Sequence, residues 1–107
     1  MRRVVVTGLG LLTPLGCGVE ASWDRLIKGQ SGIGQLEGFD VSDLNARIGG
    51  QIPEGDTADG LFAPDDWMPP NERRRIDRFI LLGMVAAQQA VESSGWVPAT
   101  EEDQNRS

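Results

Sequence analysis

The sequence predicts an α/β chain, and three features carry that expectation. They are a continuous β-branched run from Val4 to Thr7, an amphipathic helical pattern starting at Val19, and a longer one from Ile76 to Val91. A run without polar alternation marks a strand covered on both faces, so Val4 to Thr7 is expected as a buried strand ending at Gly8. The stretch Gly8 to Gly16 carries glycines and Pro14 that delay further regular structure. Val19, Trp23, Leu26 and Ile27 then fall on one face of a helix. Asp24 and Lys28 add a favourable i,i+4 charge pair, and Gly29 is placed to end the helix.

Between Gln30 and Pro70 the pattern is mostly irregular. Arg47 to Ile52 reads as a short strand weakened by its glycine pair. Residues 54–70 form an acidic excursion with an Asp59-Gly60 turn, expected at the surface. Its carboxylates Asp56, Asp59, Asp65 and Asp66 lack the alternating spacing of a calcium loop, so no metal site is expected. The long helix is expected to start at an Asn71 cap, with Glu72 in its first turn. Its small residues Gly83, Ala86, Ala87 and Ala90 suit the close approach of another element. Ser93-Ser94-Gly95, with Pro98 beyond, ends it. From Thr100 onward the chain is polar and is expected to fray.

With 107 residues there is room for one small domain. The net charge of −6 opposes nucleic-acid binding, which needs a positive surface. A single cysteine, Cys17, cannot form an internal disulfide, and no apolar run reaches the ~18 residues of a membrane span. The expectation is a soluble, cytoplasmic protein without a membrane anchor. The chain has no histidine and no tyrosine, so it lacks the commonest general base and metal ligand.

Three motifs invite a chemical reading. A strand followed by Gly8-x-Gly10 resembles a dinucleotide fingerprint, but Thr13 stands where the third glycine belongs and the helix starts only near Val19. No nucleotide or other cofactor is therefore expected. Cys17 lies two residues before a helix but has no imidazole to activate it, and reads as a small residue filling a tight turn. Arg73, Arg74, Arg75 and Arg78 place four of the ten basic residues within six positions. At the start of a long helix, cations oppose the macrodipole. From the residues alone, a solvated basic face and a patch for an acidic or phosphate-bearing partner both remain open.

Arg3-Val4-Val5-Val6-Thr7-Gly8-Leu9-Gly10-Leu11-Leu12-Thr13-Pro14-Leu15-Gly16 resembles the opening strand and turn of the β-ketoacyl-acyl-carrier-protein synthases. Trp23-x-x-Leu26-x-x-Gly29-x-Ser31-Gly32-Ile33 resembles the helix and turn that follow. Arg74-Arg75-Ile76-Asp77-Arg78-Phe79-Ile80, with Ala86-Ala87 and Ser94-Gly95, resembles the next long helix. Thr13-Pro14 and the arginine-rich run are more similar to the type II branch than to type I.

The resemblance implies that residues 1–107 are an incomplete N-terminal domain of a thiolase-like, layered αβαβα fold working as a homodimer. It further implies the elongation of fatty acyl chains. A cysteine thiolate takes the acyl group from acyl carrier protein, malonyl carrier protein is decarboxylated, and two histidines stabilise the developing charge. No catalytic residue maps onto this sequence. The family's Thr-Ala-Cys motif is absent, Cys17 does not match it, and both histidines are missing, so the chain alone is expected to be inactive. Arg74 and Arg75 fall where family members carry basic residues that touch the acidic carrier, and Arg73 joins them as a third candidate. The alternative is a short non-catalytic module that binds acyl carrier protein or a full-length synthase. Apolar faces left uncovered would make the isolated chain fold poorly or associate.

Overall fold

Glycine and proline after residue 8 turn the chain sharply. In the computed structural model, which describes residues 1–106, Leu12–Thr13 (β1) pairs antiparallel with Gly16–Cys17 (β2). The Leu15 amide donates to Thr13 Oγ1 at 3.1 Å and closes the turn between them. Val19–Ile27 (α1) follows and ends as the sequence implies, with Gly29 at φ 73°. Ile33–Gln35 (β3) and Ile48–Gly50 (β4) form a second antiparallel pair, Ile33 opposite Gly50 and Gln35 opposite Ile48. This confirms the short strand expected between Arg47 and Ile52. Its glycines have a packing reason, because a side chain at Gly50 would meet Pro14 Cγ at 2.9 Å.

The expected strand at Val4 to Thr7 does not form. The segment joins neither sheet, and Val4, Val5 and Val6 are 95%, 75% and 78% exposed. A doubly covered strand needs neighbouring strands on its edges. Both sheets here are two-stranded, and neither offers an edge to this segment. The chain just beyond it lies instead along the long helix Arg78–Ser94, where the Leu11 amide donates to Gln89 Oε1 at 2.9 Å.

The acidic excursion folds back on itself. The Gly55 amide donates to the Phe62 carbonyl and the Phe62 amide to the Pro53 carbonyl, both at 2.9 Å. Between them a 3₁₀ turn at Thr57–Asp59 is capped by Asp56, which accepts the Ala58 amide at 2.9 Å. The excursion thereby delivers Phe62, fully buried, to the core. Two one-turn helices follow, Pro64–Trp67 (α2) and Pro70–Arg73 (α3), each with proline at a helix start, where a missing N–H costs nothing.

Asn71 is therefore not the cap of the long helix. Pro69-Pro70 begin a separate turn, a turn and bend occupy residues 74–76, and the long helix α4 runs Arg78–Ser94 with Asp77 at its N-cap position. It ends at Gly95, φ 67°, as the sequence implies. The polar end expected to fray forms a short helix, Glu101–Arg106 (α5), whose Asp103 amide donates to Thr100 Oγ1 at 3.1 Å.

The core is small. Phe62, Leu81 and Val85 are buried, flanked by partly covered Leu12, Cys17, Ile52, Trp67, Met68, Ile76 and Leu82. The radius of gyration is 17.0 Å, against about 13 Å for a compact domain of this length. The accessible surface is 8467 Å², against about 5800 Å² for a compact monomer of this mass. Trp23, Leu26, Ile27, Ile33 and Ile48 are among the exposed apolar side chains. The architecture is thus a mixture of helices and small sheets with more apolar surface in water than a compact domain leaves.

Candidate functional site

The basic run is divided by local backbone geometry. Arg73 is the last residue of α3 and Arg74 its C-cap, while Arg75 lies in the turn leading to Asp77. The opposition expected between these cations and the dipole of the long helix therefore does not arise. At the C-terminal end of a helix cations are favoured, weakly here because α3 is a single turn. Only Arg78 stands at the start of α4, and it has compensation. Its Nη1 donates to Glu54 Oε1 at 2.7 Å, and its guanidinium lies 6.0 Å from the Phe62 ring centroid.

Arg73 is engaged as well: its Nη2 donates to Asp65 Oδ1 on α2. Its side chain is 27% exposed, and its Nε is buried without a hydrogen-bond partner. Arg74 and Arg75 are exposed, and neither takes part in the ion pairs among the described residues. The structure thus sorts the four clustered arginines into two tied to the acidic excursion and two facing solvent. The partners Asp65 and Glu54 were missed in the sequence. The signal available was charge complementarity between the acidic stretch 54–66 and the basic stretch 73–78.

Gly8 and Gly10 do not build a phosphate loop. Both lie against α4: a side chain at Gly10 would run into the Ala86 carbonyl and come within 2.8 Å of the Ala90 amide nitrogen. One at Gly8 would meet the Ser94 nitrogen at 2.6 Å and the Ala90 carbonyl. Of the small residues expected to allow a close approach, Ala86 and Ala90 accommodate this segment, whereas Gly83 has open space around it.

Cys17 sits in β2, and Gln89 Nε2 approaches its Sγ at 3.5 Å. Burial pushes its thiol above the ordinary value, partly offset by that contact. A nucleophilic cysteine needs the opposite shift. Nearby, an open cleft of about 1090 Å³ runs between α1, the turn at residues 57–60 and α4. Arg25 spans one side: Nη1 donates to the Leu15 carbonyl and, at 3.3 Å, to that of Gly60, while Nη2 donates to the Asp59 carbonyl at 2.5 Å. Its charge is spent on backbone oxygens. Among the described residues no set of acidic or cysteine side chains converges as a metal site, and no helix is long and apolar enough to cross a membrane. The basic run presents two exposed arginines, Arg74 and Arg75, flanked by the exposed carboxylates Glu72 and Asp77.

Residues 1–106 match the family model described as beta-ketoacyl synthase, N-terminal domain. The chain is 50% identical over 104 residues to 3-oxoacyl-[acyl-carrier-protein] synthase 2 of Rhizobium meliloti (strain 1021), covering 97% of this chain and 25% of that protein. It is 40% identical over 105 residues to the synthase 2 of Vibrio harveyi, covering 98% and 23% respectively. A chloroplastic 3-oxoacyl-[acyl-carrier-protein] synthase II of Arabidopsis thaliana is 37% identical over 94 residues, covering 88% and 16%. The chain spans about a quarter of the length of the first two of these curated relatives.

Proposed function

The chain belongs to the β-ketoacyl synthase family through its N-terminal domain, and on that premise we propose that it serves fatty-acyl chain elongation as a docking element for acyl carrier protein. The reaction is the decarboxylative condensation of malonyl carrier protein with an acyl carrier protein. Carbon dioxide leaves the malonyl group, the carbanion attacks an enzyme-bound thioester, and the cysteine thiolate is released. That chemistry needs an activated sulfur and imidazole donors. These 107 residues contain no histidine, and the raised pKa of Cys17 opposes a thiolate there. No step of the condensation is assigned to a residue of this chain.

The docking role rests on one observation: Arg74 and Arg75 present two cations outside the internal ion pairs, while the flanking Arg73 and Arg78 are paired. An acidic carrier is the partner such a surface draws in, because complementary charge raises the encounter rate and fixes orientation. Arg73 belongs to the patch by position. The wider reading is a homodimeric, cytoplasmic enzyme with the layered thiolase-like arrangement. The uncovered apolar surface supports it, because further elements of such a fold would cover Trp23, Leu26 and Ile33.

The test is a fluorescence-anisotropy titration of labelled acyl carrier protein with the 107-residue chain at low ionic strength. Arg74→Glu with Arg75→Glu is expected to weaken binding by about tenfold or more. Equal affinity of the wild-type and double-variant chains would remove the docking role.

A further inference from the structure

The acidic excursion and the basic run are tied together at both ends. Arg78 holds Glu54, at the start of the excursion, and Arg73 holds Asp65, near its end. Thr57 Oγ1 donates to Asp66 Oδ2 and fastens α2 to the 3₁₀ turn. Between α2 and α3 lie only Met68 and Pro69. One-turn helices have little stability of their own, so their relative direction comes from such ties together with the packing of Trp67 and Met68 against the core.

We infer that the Arg73–Asp65 pair is a brace that sets the direction of the Arg74–Arg75 turn, with Arg73 a positioning residue and not a contact to the partner. The inference rests on the reading of Arg74 and Arg75 as carrier-binding cations. Three observations carry it. The Arg73 guanidinium is partly sunk in the protein, with Nε buried and Nη2 committed to Asp65. The pair is electrically neutral, so it adds little to the long-range attraction of an acidic partner. Arg74 directly follows Arg73 as the C-cap of α3, so a change in the seating of Arg73 rotates the turn that carries the two free cations. Arg78–Glu54 secures the other end of the same turn.

The sign of one substitution separates the brace from a contact. Asp65→Asn makes the surface more positive and frees Arg73. If Arg73 touched the carrier, binding would hold or tighten. The brace requires it to weaken, by about threefold to fivefold. Exchanging the charges, Arg73→Asp with Asp65→Arg, is expected to return affinity to within about twofold of wild type. Amide exchange of α4, followed in every variant, checks that the helix is intact. If Asp65→Asn unfolds the segment, Asp65→Ser, which also removes the carboxylate, serves instead and is expected to weaken binding in the same way. Tighter or unchanged binding by Asp65→Asn, or an exchanged pair that binds no better than Arg73→Asp alone, overturns the brace. Insensitivity to Arg74→Glu with Arg75→Glu strikes the docking reading and the brace with it, whereas tighter or unchanged binding by Asp65→Asn alone strikes only the brace.

Discussion

Arg73 reaches across the α2–α3 junction to the carboxylate of Asp65, eight residues earlier, and with Arg78–Glu54 this contact leaves two of four neighbouring arginines paired and two outside the ion pairs of the described residues. Without it, a run of cations so close in sequence would read as one undifferentiated basic face. With it, and with Arg78 held by Glu54, the unpaired positive charge of the cluster narrows to Arg74 and Arg75. An exposed ion pair contributes only about 0–1 kcal/mol to stability. On that scale the pairs add little to stability, and the proposed positioning of Arg74 and Arg75 is what substitution of Asp65 examines.

The glycines at positions 10 and 83 are expected to respond in opposite directions. Gly10→Ala drives a methyl group into the Ala86 carbonyl and should lower the opening free energy of the Gly8–Leu11 segment by about 1–3 kcal/mol. Gly83 lies mid-helix in α4 with open space around it, so Gly83→Ala should stabilise by about 0.5–1 kcal/mol. Amide hydrogen exchange along α4 and at Leu11 measures both. A neutral Gly10→Ala would mean that the segment is not seated on the helix.

Arg25 received no role from sequence periodicity, yet its guanidinium holds three backbone carbonyls from two loops. Arg25→Met keeps the aliphatic stem and should cost about 1–3 kcal/mol. The readout is faster exchange of the Cys17 amide, which donates to the Gly60 carbonyl at 2.9 Å. Arg25→Lys should recover little of that loss, because an ammonium group does not span the same carbonyls.

Cys17 is expected to be a slow thiol. Its pKa is raised by burial, so the neutral form persists above the pH at which an unfolded cysteine ionises. Its contribution to stability is therefore present below the unfolded pKa and is lost as pH rises through the folded value. Iodoacetamide should modify it more slowly at neutral pH than in urea, with a rate that climbs on the alkaline side. A fast rate that stays flat into the acidic range would reveal a stabilised thiolate.

The parts of the fold legible in the sequence are those fixed by neighbours along the chain. The spacing from Val19 to Ile27, the stops at Gly29 and Gly95 and, of the pattern from Ile76 to Val91, the part from Phe79 on each translate into the helix observed, while Ile76 lies in the bend before it. Val4 to Thr7 failed as a strand because a sheet is made by partners, and none of the strands present lies beside it. Asn71 failed as a cap because Pro69-Pro70 open a separate turn that no periodicity announces. The basic run was visible as composition. Its division was not, since the contacts of Arg73 with Asp65 and of Arg78 with Glu54 span eight and twenty-four residues and follow no helical or strand repeat.

The most direct test maps the surface that meets the carrier. Isotope-labelled 107-residue chain is titrated with unlabelled acyl carrier protein, and the backbone and arginine side-chain signals are followed by NMR. The largest shifts should fall on Arg74 and Arg75, with the Arg73 Nε signal moving little. Shifts concentrated on α1 or the cleft beside Arg25, with the residue 74–75 turn unchanged, would contradict the docking role.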